Sequence, residues 1–166
     1  MQACFIGHRV IIKNQELYSL LKKTTEELIH KGVTTFLFSD KGAFDKLSWE
    51  VVTELKKKYT FIERVYVRAN YQYIDKGYEE YLLTFYEKTY FPPNLVNAGK
   101  SSYIKRNYEM INASSYCVFY YNKNYSPPLK HKSKLNYLPS LKSNSGTKLA
   151  YKYALTQRKI IINMYT

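Results

Sequence analysis

Three short clusters carry side chains able to hold an anion. In the first, the apolar run Ala3-Cys4-Phe5-Ile6 breaks at Gly7, and His8 and Arg9 follow at once. A glycine lets the backbone approach a ligand closely, and an arginine can grip an oxyanion through two parallel hydrogen bonds. The same residues equally fit a strand that ends in a plain surface turn. The second cluster is Arg106-Asn107, followed by Glu109. A guanidinium there suits a phosphate or carboxylate, or pairs on the surface with a neighbouring acid, which is worth little. The third is Ser145-Gly146-Thr147. Small residues at a helix start leave backbone N–H groups free where the helix dipole favours negative charge, though such caps are common. Arg68 ends another apolar run and joins the candidates, as does Ser39 in the segment Ser39-Asp40-Lys41-Gly42-Ala43-Phe44-Asp45. Asp40 there would contact a ribose hydroxyl or repel a phosphate. Asp45 reads most simply as an acidic residue in a first helical turn.

These clusters need elements to position them. Asn14–Lys31 reads as a helix, with Leu17, Leu21, Thr24 and Leu28 on one face, Asn14 as cap and Gly32 as stop. Val33–Phe38 reads as a buried strand, 44–58 as a helix, and 61–67 as a third strand. Lys76–Lys88 reads as a tyrosine-rich helix stopped by Pro92-Pro93. A helix over 102–112, a strand over 116–121, a helix over 146–156 and a strand over 159–163 complete the chain. Strands alternating with helices through short links predict an α/β, Rossmann-like three-layer sandwich. Its sheet is expected to be mostly parallel, of about five or more strands, with helices on both faces. The candidate clusters then lie at the carboxyl edge of that sheet, where ligands of such folds bind.

The 166 residues suit one domain spanning 1–166, large enough to bury a core without disulfides. Cys4 and Cys117 sit in apolar runs and read as buried residues of a cytoplasmic protein. His8, His30 and His131 lack metal-type spacing, so neither a metal nor a cofactor is expected. No stretch is apolar and long enough to span a membrane, and no signal peptide is evident. The net charge is +13, with 26 basic and 13 acidic residues. It is concentrated beyond residue 100, where Glu109 is the sole acid among 11 lysines and arginines. That asymmetry points to an anionic partner: nucleotide, phosphate or nucleic acid. Lysines that solubilise a chain with 19 tyrosines explain it as well. Residues 122–143 hold five lysines, three prolines and no acid, and read as a long basic loop: a lid over an anion site, or a surface insertion.

In order along the chain, Cys4-Phe5-Ile6-Gly7-His8-Arg9, Phe44-Asp45 with Glu50-Val51-Val52, Arg106 to Ile111, Ser145-Gly146-Thr147 with Ala150 and Tyr153-Ala154, and Ile160 to Asn163 form a set. This set resembles the SLOG superfamily of Rossmann-like domains related to DprA and the LOG nucleosidases. The likeness is greatest to its stand-alone YpsA-like branch from Gram-positive bacteria and their phages. The resemblance implies a nucleotide-type ligand over the strand ends, held by Gly7, His8, Arg9, Ser39, Arg68, Arg106, Asn107, Ser145, Gly146 and Thr147. It also implies self-association as a dimer or larger. The nucleosidase branch carries a catalytic Glu where this chain has Ala150, and its preceding glycines are here Ser143-Asn144-Ser145. Glycosidic cleavage needs a carboxylate, so binding without turnover is expected. The expected role is sensing a nucleotide-derived signal of the ADP-ribose or cyclic-nucleotide type, or sequestering it as a phage-encoded sponge against antiphage defence. Two other readings stand beside it: a nucleosidase using Glu109 or Asp45 as replacement carboxylate, and single-stranded nucleic-acid binding on exposed tyrosines.

Overall fold

The structure is a computed structural model that describes residues 1–125 and 145–165. Most of the basic segment expected at 122–143, with Ser143 and Asn144, falls outside those residues. Thirteen elements follow one another among the described residues. They are β1 (Gln2–Gly7), α1 (Gln15–His30), β2 (Thr35–Phe38), α2 (Ala43–Lys56), β3 (Glu63–Val67), α3 (Lys76–Leu83) and β4 (Lys88–Tyr90). After two short 3-10 turns, Pro93–Leu95 and Gly99–Ser101, come α4 (Ser102–Ala113), β5 (Tyr116–Tyr120), α5 (Gly146–Thr156) and β6 (Ile160–Asn163).

The six strands form one all-parallel sheet in the order β4-β3-β2-β1-β5-β6. The period-two alternation of a strand divides the core into two layers. Ala3, Phe5, Phe36, Phe38, Val118 and Tyr120 face α1 and α2, while Cys4, Ile6, Leu37, Cys117 and Phe119 face α4 and α5. Phe5 stacks on both Phe36 and Phe38 at 5.9 and 5.4 Å, which ties β1 to β2 on one side. Cys4 and Cys117 lie side by side in register on β1 and β5, free and buried.

The first helix follows its sequence signals closely. The Asn14 side chain accepts a hydrogen bond from the Leu17 N–H, and Gly32 takes a left-handed φ of +88° just past the end. The segment 76–88 does not form one helix as expected. Its helix ends at Leu83, and Lys88 opens a sixth strand, β4, against β3. This three-residue edge strand carries no apolar run, and the tyrosines before it keep a helical spacing past the true end. Among the described residues no helix is long and apolar enough to cross a membrane.

Candidate functional site

The chain runs outward from β1 through β2 and β3 to β4, then returns to place β5 on the other side of β1. The crevice beyond the carboxyl ends of β1 and β5 is therefore the switch point of the sheet, the place where open α/β sheets bind ligands. A cleft of about 290 Å³ lies there. It is lined by Gly7, His8 and Arg9 after β1, by Ser39 and Lys41 after β2, by Arg106 and Asn107 on α4, and by Ser145, Gly146 and Thr147 at the start of α5. Nine of the ten residues expected at a ligand site thus converge on one cleft.

Several of them are already engaged with the protein. Thr147 donates its hydroxyl proton to the Gly7 carbonyl at 2.9 Å, which fastens the start of α5 to the end of β1. Thr147→Val is expected to lower the unfolding free energy by about 1 kcal/mol in urea denaturation, the usual worth of one such bond. The Ser145 hydroxyl caps α5 by accepting from the Lys148 N–H. The N–H groups of Gly146 and Thr147 then find no acceptor among the described residues, and they stand at the positive end of the helix dipole. Arg106 is buried and donates from Nη1 to the Ser39 carbonyl at 2.9 Å, and from Nε and Nη2 to the Asn107 amide oxygen. These bonds hold the guanidinium in place and leave an N–H on each terminal nitrogen for a ligand. Arg9 is exposed, with no hydrogen bond from its side chain among the described residues.

His8 is buried, with its ring stacked on Tyr125 at 3.8 Å between centroids. The Asn122 N–H donates to Nε2 at 2.9 Å, the shorter of two contacts with that residue, so the ring proton sits on Nδ1. Burial lowers the His8 pKa, against an opposing pull from the Asn122 carbonyl 3.2 Å from Nε2.

Asp45 departs from the role of an ordinary first-turn acid. It is buried, and accepts hydrogen bonds from the Ser39 N–H, the Ser39 hydroxyl and the Asp40 N–H, each at 2.9 Å. Burial pushes its carboxyl up to about 6, while the Ser39 bonds and the Arg106 charge hold it from rising further. The grip of Asp45 sets the conformation of the loop before α2. Asp40 adopts a left-handed φ of +53°, and the loop alternates. Ser39 and Lys41 line the anion cleft, whereas Asp40 and Gly42 line a separate cleft beside α2. The expected conflict between Asp40 and a phosphate is therefore absent from this cleft.

Arg68 is the expected site residue that the cleft does not include. It lines a smaller depression of about 110 Å³ on the far side of Tyr103 and Arg106, and its Nη1 donates to the Tyr71 carbonyl. The close approach at Gly7 also has an unexpected cause. A Cβ there would lie 2.5 Å from the Phe44 ring, so helix packing alone requires the glycine. Sequence reasoning missed Lys41, Tyr103 and Tyr125 in the lining. Tyr103 had a legible signal, since its spacing of three and four from Arg106 and Asn107 puts all three on one helix face.

No protein-family model matches the chain, and no curated protein matches it in sequence. Among its described lining residues the cleft presents two arginines, a lysine and a helix N-terminus, and no carboxylate. Glu109, one of the two replacement carboxylates considered, bonds with the Asn94 amide at 2.5 Å and does not line the cleft. Asp45, the other, has its oxygens turned to the loop backbone and Ser39.

Proposed function

We propose that the chain binds a nucleotide-derived anion at the switch-point cleft and does not cleave it. The observation that carries this reading is the convergence there of Arg9, Lys41, Arg106 and the N–H groups at the start of α5, with no carboxylate among the described lining residues. Donors of that kind favour a phosphate, and a cleft near 300 Å³ is of the size that small ligands occupy. The resemblance to the SLOG superfamily supplies the narrower class, an ADP-ribose-type or cyclic-nucleotide signal, and the role of sensor or sponge in a bacterial cytoplasm. It also supplies the expectation of a homo-oligomer.

The nucleosidase reading lacks a carboxylate in the cleft. The nucleic-acid reading needs stacking tyrosines beside basic charge. Of the exposed tyrosines, Tyr103 stands beside Arg106, whereas Tyr71, Tyr73, Tyr78 and Tyr81 stand in a stretch with Asp75, Glu79 and Glu80.

Calorimetry against ADP-ribose derivatives, cyclic nucleotides and plain nucleotides tests the proposal, and we expect saturable binding of at least one. Arg9→Ala should weaken it about tenfold or more, the worth of a hydrogen bond to a charged group. Gly146→Leu should abolish it, because Gly146 lines the cleft and a Cβ there meets nothing within 4 Å among the described residues, so the added bulk does not strain them. Absence of binding by every compound at millimolar concentration overturns the proposal. Release of free base on incubation with a nucleotide would overturn its non-catalytic part.

A further inference from the structure

A second cleft, of about 460 Å³, opens between α2 and the segment from α3 to β4, and shares no lining residue with the anion cleft. Its walls are the rings of Trp49, Tyr81, Phe85 and Tyr86, and its polar lining is Asp40, Asp45 and Lys46. We propose that this cleft binds the alkylated ammonium group of a small organic cation, with the four rings as its walls and Asp40 as the principal counter-charge.

The geometry of the rings comes first. Tyr81 meets Phe85 at 5.3 Å and 70°, Phe85 meets Trp49 at 6.3 Å and 61°, and Trp49 meets Tyr86 at 6.4 Å and 64°. Each ring is turned steeply to the next, so neighbouring rings do not offer parallel faces for a planar base to slide between. The negative faces of aromatic rings attract cations, and alkylated ammonium groups are the cations such cages suit. The Trp49 indole is held in place by its N–H, which donates to the Phe85 carbonyl at 3.2 Å. The Arg64 guanidinium, outside the cleft, already lies over this indole at 5.5 Å from its centroid.

The charge points the same way. In a chain of net charge +13, this lining carries two carboxylates against one lysine. The Asp40 carboxylate is exposed and has no hydrogen-bond or ion-pair partner among the described residues. The grip of Asp45 on the Asp40 N–H turns the loop so that Asp40 lines this cleft. The field is felt by Tyr86, whose hydroxyl is held protonated by burial first and then by Asp45 and Asp40. Lys46 is exposed on the lining and opposes a cation there.

Trp49 is the only tryptophan in the chain, so its emission reports directly on the cleft. The test titrates the protein with choline and with choline's neutral isostere, in which carbon replaces nitrogen. We expect choline to change the emission saturably, and the isostere to bind about tenfold more weakly or less. Asp40→Asn should weaken choline several-fold, and Lys46→Ala should strengthen it. Asn tolerates the left-handed backbone at this position, and circular dichroism confirms that each variant is folded. Phe85→Leu, which removes one wall, should also weaken choline several-fold and serves as the second variant. The proposal is overturned if choline gives no saturable change, if the isostere binds equally well, or if folded Asp40→Asn and Phe85→Leu both bind choline as the unmodified protein does. Because the two clefts share no residue, none of these outcomes bears on the anion site.

Discussion

Asp45→Ala is expected to lower the unfolding free energy by about 3–5 kcal/mol, a large part of the roughly 5–15 kcal/mol that holds a domain of this size together. The carboxylate accepts from two backbone N–H groups and a hydroxyl, all in the interior. Its removal strands those donors, and it also takes away the nearby negative charge that Arg106 has in the core. The effect carries a pH signature. Burial raises the folded pKa of Asp45 from 3.8 to about 6. A carboxyl raised in this way stabilises the fold fully below about pH 4 and loses that contribution as pH rises through about 6, by about 3 kcal/mol. Alanine does not titrate, so the gap between the two proteins should be wider at pH 4 than at pH 7. Urea unfolding at both pH values measures it. A gap that widens with rising pH would mean that the hydrogen bonds and Arg106 outweigh burial, contrary to this account.

Gly7→Ala is the second large effect. The added Cβ would stand 2.5 Å from Cδ1 of Phe44 and 2.6 Å from its Cβ and Cγ, distances that non-bonded carbon atoms do not adopt. Phe44 is fully buried and lies against Tyr120 at 5.7 Å, so the ring has little room to withdraw. Overpacking of this kind costs about 1–3 kcal/mol or more. The damage should spread to binding, since the Gly7 carbonyl anchors Thr147 and with it the start of α5. Cγ and Cδ1 of Phe44 supply two of the three clashes, so Phe44→Ala should cost less in the Gly7→Ala background than alone, giving a coupling energy well away from zero in a double-mutant cycle. If Gly7→Ala melts at the same temperature as the unmodified protein, the packing account of this glycine is wrong.

Much of this architecture can be read from local pattern. Asn14 and Gly32 bound the first helix because capping and left-handed stops are local chemistry. The meeting of Gly7, Arg106 and Gly146 in one cleft is legible once the sheet is taken as parallel, for then every strand points its carboxyl end to the same edge. What escapes local pattern depends on distant partners. The inward turn of Asp45 rests on a loop before its own helix that folds back over it. The donation by Thr147 to Gly7 spans 140 positions. Arg68 shares a smaller depression with Lys41, Tyr103 and Arg106 and does not line the main cleft, which only the packing of α4 decides. β4 escaped because an edge strand buries little and needs no apolar run.

The alternation of Ser39, Asp40, Lys41 and Gly42 has a consequence for the length of this loop. Surface connections generally tolerate insertion and deletion. Here the phase of four residues sends Lys41 to the anion cleft and Asp40 to the aromatic one, while both also line the depression beside Arg68 and Arg106. Loss of one residue between Phe38 and Ala43 would exchange that assignment, delivering a carboxylate among the cations and a lysine among the aromatic rings. The segment can therefore vary in composition more freely than in residue count, and the boundary between the two clefts is kept by parity.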